Sequence, residues 1–164
     1  MEASQRRAPR YCVDVNGDQA MREMGKNLPV PTFDTTAWAA APRLRDATVA
    51  IVTSAAIHRA HDDRFGAGDT GYRIIPSDAR DLVMGHWSPN FDHTGFQIDL
   101  NVVFPIDRLH ELAAAKVIGR VAPRHFSFAG NQPDDVSTIR LDSGPAAATE
   151  LKRDGVDVVL LTPV

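Results

Sequence analysis

Between His86 and Asn101 the chain reads HWSPNFDHTGFQIDLN, a stretch that gathers His86, Asp92, His93, Asp99 and Asn101. Imidazoles and carboxylates at such short spacing can bind a metal, shuttle protons or hold a substrate amine. No His-x-x-x-His and no cysteine ligand accompanies them, so none of the specific zinc signatures is met. Taken singly, each His or Asp reads as a loop residue bonding its own backbone. Taken together the group reads as functional. Long irregular loops inside compact domains are usually functional or disordered, and Trp87, Phe91 and Phe96 argue against disorder. A second group, Pro123-Arg124-His125-Phe126-Ser127-Phe128, stands before the turn Ala129-Gly130-Asn131. Arg beside His beyond a strand end suits a carboxylate- or phosphate-binding corner. It also suits a polar edge with Phe126 and Phe128 turned inward, and both readings stand. Ser54 with His58 has the residue types of nucleophilic catalysis but no Gly-x-Ser-x-Gly elbow. The run Asp62 to Gly71 lacks the Gly-Lys-Ser/Thr of a phosphate loop.

Positioning such groups falls to an alternation of strands and helices. Ala47–Ser54 (ATVAIVTS) is a first buried strand, and Ala55–His61 has room for one helical turn. Tyr72–Pro76 and Asp81–His86 are two short strands, and residues 87–101 are irregular. A helix is predicted over Pro105–Lys116, with Pro in its first turn, Asp107 favouring its N-terminus, and Ile106, Leu109, Leu112 and Ala113 as its apolar stripe. Val117–Pro123 follows as a short segment. A last helix over Pro145–Asp154, capped by Asp142 or Ser143, stops at Gly155 and leads into the apolar strand Val156–Leu161. Val49–Thr53 and Val156–Leu161 are expected as near neighbours, parallel and mostly buried. The pattern is α/β: a mostly parallel sheet with crossover helices, Rossmann-like or flavodoxin-like. Residues 1–46 lack sustained periodicity and read as an arm packed on the domain through Met21, Met24, Leu28, Phe33 and Trp38; residues 47–164 form the α/β domain.

The chain has 164 residues, 43% hydrophobic and 24% charged, the make-up of one soluble globular domain. A net charge of −3 gives no electrostatic reason to expect nucleic acid or an anionic membrane as partner, and Arg6, Arg7 and Arg10 read as a solvated tail. No run approaches the length of a membrane span. Cys12 is the single cysteine, which excludes an internal disulfide and fits a reducing cytoplasm. In α/β folds ligands bind beyond the carboxyl ends of the strands. The last strand closes on Thr162-Pro163-Val164, at the lip of that crevice. A buried parallel strand needs helices over both faces, so a last βα unit is expected to be missing.

Three stretches together resemble a family: AIVTS with His58, the segment DLNVVFPIDR from Asp99 to Arg108, and IGRVAPRHFSFAG from Ile118 to Gly130. Their order and spacing resemble the selenoprotein B family of glycine, sarcosine, betaine and D-proline reductases, from about Ala47 onward. The resemblance implies reductive cleavage of a C–N bond in a small amine or amino acid. It implies a selenocysteine or cysteine directly after Val164, so that this chain is the N-terminal part of a longer reductase, cut at that position and inactive alone. It implies further partner subunits, a pyruvoyl group on one of them, and a thiol reductant; a homo-oligomer is expected. The catalytic residues expected are His125, His93 and His86, with His125 or His86 as proton donor and His93 lining the substrate crevice, and Asp99, Asn101, Arg124 and Ser54 are expected to bind substrate. Arg124 is expected to pair with a substrate carboxylate. No metal is expected under this reading. The alternative is a small-molecule binding subunit, or a metal-dependent hydrolase built on His86, Asp92, His93 and Asp99. At least three of His93, Asp99, Asn101, Arg124 and His125 are expected in one pocket near Thr162.

Overall fold

The computed structural model describes residues 15–27, 32, 34–37, 39–86, 94–130, 132 and 135–164. Residues 87–93 of the irregular stretch, Trp87, Asp92 and His93 among them, lie outside the described residues, as do Cys12, Leu28, Phe33 and Trp38. The chain divides into two units, Met1–Ala39 and Ala40–Val164. The first contains helix α1 (Val15–Lys26), in a stretch where no regular element was expected. Its sequence, VNGDQAMREMGK, is largely polar and lacks the apolar stripe by which helices are recognised.

In the second unit one strand is surrounded by all its parallel partners. That strand is β1 (Thr48–Thr53), five of whose six residues are buried. On one side it pairs with β7 (Val158–Thr162), from Val49↔Val158 to Thr53↔Thr162. On the other side it meets β5 (Arg120–Val121) at its start and β6 (Arg124–Phe128) at its end, again parallel. The register shifts between these two: Val49 faces Val121, yet Val52 faces Phe126. In the resulting bulge the His125 ring replaces a carbonyl, accepting the Ile51 N–H at Nδ1 (3.0 Å). β3 (Tyr72–Pro76) adds an antiparallel edge on β6. A separate antiparallel pair joins β2 (Ile57–Arg59) to β4 (Leu82–Met84). The helical turn expected over Ala55–His61 is therefore a strand: Ala-Ala-Ile favours helix locally, but pairing with Leu82–Met84 supplies the backbone partners.

The two faces of β1 go to different helices. Val49 and Ile51 join the core under α3 (Ile106–Ala114), with Phe96, Phe104, Ile106 and Leu109. Ala50 packs with Ala122, Phe126, Ala147 and Leu151 under α4 (Gly144–Arg153). This is a three-layer α/β arrangement with a mixed, mostly parallel sheet. Leu112, expected in the α3 stripe, is instead 39% exposed; Ile106, Leu109 and Ala113 make the buried face. Short α2 (Thr94–Ile98) and a 3-10 turn (Leu100–Val102) order part of the stretch expected to be irregular. A π-helical turn (Ile139–Ser143) leads into α4, and Ser143 makes no side-chain cap bond, because it is already helical (φ −68, ψ −32). Its hydroxyl bonds the Thr70 carbonyl instead (2.6 Å). β7 does pair with β1 as expected, but it is not mostly buried: Val159, Leu160 and Leu161 are 37%, 38% and 68% exposed.

Candidate functional site

Three hydroxyls knot the carboxyl ends of β1 and β7. Thr53 Oγ1 donates to the Val103 carbonyl (3.0 Å), and Thr162 Oγ1 donates to the same oxygen (2.8 Å). Ser54 Oγ accepts the Val164 N–H (2.8 Å) and lies 3.3 Å from the Val164 carbonyl oxygen. Ser and Thr at strand ends can bond backbone that the ladder no longer serves, and this sequence uses all three that way. The chain leaves β1 through Ala56, fully buried at φ +54. Its carbonyl accepts the Gly85 N–H (3.0 Å) and its N–H donates to Phe128 (2.9 Å). A non-glycine residue in the left-handed region costs on the order of 1 kcal/mol and persists where its surroundings fix it.

Gly130, just past β6, is the meeting point. A Cβ there would lie 2.8 Å from His86 Nε2, 2.9 Å from the Ser54 carbonyl and 3.0 Å from the Val164 carbonyl. Only a residue without a side chain admits this approach. The ends of β1, β6 and β7, and the segment after β4 that carries His86, thus converge on one small volume. On one side of it opens a cavity of about 700 Å³ between α4 and the strand ends, lined by Thr53, Ser54, Phe128, Gln132, Thr162 and small or aliphatic residues. None of its described lining side chains is ionisable. On the other side His86, largely buried, lines a smaller cavity of about 450 Å³ with Met84, Phe96 and Leu100.

The expected site residues do not assemble there, apart from Ser54 and His86. Arg124 opens β6, three residues after β5 ends, and its side chain turns away from the strand ends where β1 and β7 finish. It grips the last turn of α4, donating to Asp154 at 2.8 and 2.7 Å and to Glu150 at 3.0 Å. Those hydrogen bonds, first those donated to Asp154, raise the guanidinium pKa further and hold the Asp154 carboxyl below its ordinary range. His125 is fully buried on the α3 face, edge-on to Phe104 at 5.5 Å. Burial, assisted by His110, lowers its pKa from 6.5 to about 4. It is a neutral member of the sheet, and its Nε2 has no partner among the described residues. Asp99 accepts the Asn101 N–H and side-chain amide (both 2.9 Å), bonds that depress its pKa. Asn101 Oδ1 in turn accepts the Asp107 N–H (3.1 Å) at the start of α3. The Asp-x-Asn spacing thus builds a helix entry. His93 and Asp92 lie outside the described residues, and among those described no three His, Cys, Asp or Glu side chains gather to hold a metal. In the sequence Gly130 reads only as part of a turn, because nothing nearby announces which strand ends will meet it.

Residues 19–164 match the model of the glycine/sarcosine/betaine reductase selenoprotein B family. The chain is 38% identical over 137 residues to the D-proline reductase subunit gamma of Acetoanaerobium sticklandii, covering 81% of this chain and 55% of that one. It is 29% identical over 148 residues to the glycine reductase complex component B subunit gamma of Carboxydothermus hydrogenoformans, covering 82% of this chain and 32% of that one. It therefore spans about half of the first relative's length and about a third of the second's. No solved structure matches it.

Proposed function

The chain belongs to the glycine/sarcosine/betaine reductase selenoprotein B family, and from that premise we propose that it is a component of a reductase that cleaves a C–N bond in a small amine or amino acid. The observation that carries the placement of the chemistry is the convergence of His86 Nε2, Ser54 and Val164 on Gly130. We place the redox residue, a selenocysteine or cysteine, directly after Val164. Such a group would supply the nucleophile for the carbon, with a thiol reductant furnishing two electrons. The resident side chains then have defined tasks. Ser54 fixes the backbone of residue 164 through its hydroxyl. His86 supplies the proton that the departing nitrogen takes up as the C–N bond breaks. Gly130 keeps the space between them open. Asp99, Asn101, Arg124 and His125 serve the same site indirectly, by setting α3, α4 and the bulge in β6. Partner subunits, including any that carries a pyruvoyl group, would complete the reaction in the cytoplasm.

Sequencing the gene past codon 164 tests the redox placement: a UGA or cysteine codon is expected next, in a continuing frame. The product of that frame, assayed with a dithiol and with glycine, sarcosine, betaine and D-proline separately, should turn over one of them. His86→Asn should then lower kcat by about 10²–10⁴-fold, the usual contribution of a positioned proton donor. A frame lacking both codons would sink the redox placement. An active enzyme indifferent to His86→Asn would remove His86 from the mechanism.

A further inference from the structure

The large cavity is a groove with one open side. Its wall is the flank of α4 formed by Gly144, Ala147 and Ala148, and its rim is Leu161 of β7, 68% exposed. Among the described strands β7 pairs with β1 alone, so its outer edge faces no strand. We propose that this groove and the β7 edge together seat a strand–helix unit of the family polypeptide from outside residues 1–164. The strand pairs with β7, and the helix lays an uncharged aliphatic face along α4.

The lining selects this occupant. A zwitterionic amino acid would lose its hydration in the groove and find no charged side chain there among the described residues. An aliphatic helix face loses nothing. Ala147 and Ala148 on the α4 flank are small enough to admit a neighbouring helix near the close end of the usual axial spacing of about 8–10 Å. The edge is equally permissive: Val158–Thr162 has no lysine, no proline and no bulge, the devices by which exposed edges are blocked. The relatives also have the length for such a unit, since this chain covers 55% of the D-proline reductase subunit and 32% of the glycine reductase subunit. The proposal rests on family membership and not on the assignment of His86 or of a redox residue.

Hydrogen exchange tests it without any turnover. Amides of Val158–Thr162 in this chain are compared with those of the aligned strand in the intact D-proline reductase subunit gamma of Acetoanaerobium sticklandii. Exchange in the intact subunit should be at least about tenfold slower, and lysine at its position aligned with Leu161 should abolish the difference while far-ultraviolet dichroism stays unchanged. Equal exchange in the two proteins would overturn the proposal. So would protection in this chain that disappears on dilution, because the edge would then be covered by a second copy.

Discussion

At the scale of the residue, His125 is the sharpest case of a side chain whose type suggested one task and whose surroundings set another. Next to Arg124 it resembled half of an anion-binding corner. In the fold it stands inside the sheet, accepting a backbone N–H in the bulge between β5 and β6. Its pKa of about 4 gives a stability signature. The unfolded chain binds a proton at this position below about pH 6.5, whereas the folded chain refuses it until about pH 4. Stability should therefore fall as pH drops through that window and level off below it. At about 1.4 kcal/mol for each pKa unit, the loss is on the order of 3 kcal/mol. Urea midpoints between pH 7 and pH 4 read this directly. His125→Phe should flatten that slope while costing about 1–3 kcal/mol at pH 7, since the Ile51 N–H is left buried and unpaired. An unchanged slope would show that other groups carry it. Arg124 was misread for a related reason. Its partners Glu150 and Asp154 lie 26 and 30 residues away, and no local pattern links them. Ser54 was legible as a polar residue at a strand end, and His86 as an imidazole after one.

Elements were more legible than residues wherever a short-range signal marked them. The apolar runs of β1 and β7, and Tyr72–Pro76 as β3, were predicted within two residues of their observed bounds. So were α3, from its Pro105 start, and α4, from its Gly155 stop. β2 was missed because its partner β4 lies more than twenty residues along the chain. The two helix ends invite a comparison. Both close with a six-to-one bond, Val117 N–H to Leu112 and Val156 N–H to Leu151, and both place the preceding residue in the left-handed region. In α4 that residue is Gly155 (φ +68); in α3 it is Lys116 (φ +59). Lys116→Gly should therefore stabilise the domain by about 0.5–1 kcal/mol, the penalty ordinarily attached to a side chain in this conformation. Thermal unfolding checks it, and a lower Tm would mean that the Lys116 side chain does more than its backbone suggests.

For the whole molecule, charge and exposed apolar surface act together. The chain carries a net charge of −3 and a calculated isoelectric point near 6.0, while Leu141 and Leu161 are 70% and 68% exposed. Repulsion between copies vanishes near pH 6, so light scattering should peak there and fall by pH 8. Leu141→Lys should lower the peak, and scattering indifferent to pH and to that substitution would count against association through exposed apolar side chains. The α/β class was readable from the alternation of runs, but the order of strands was not, because every partner of β1 comes late. The nearest, Arg120, lies 72 residues beyond Thr48. At a synthesis rate of about 5–20 residues per second, that separation is about 4–14 s of waiting. For those seconds the most apolar strand of the nascent chain has emerged with nothing to pair with. A ribosome that stalls in that interval leaves a sticky, unpaired ribbon, so the safety of this fold depends on the tempo of translation and on whatever shields the chain meanwhile.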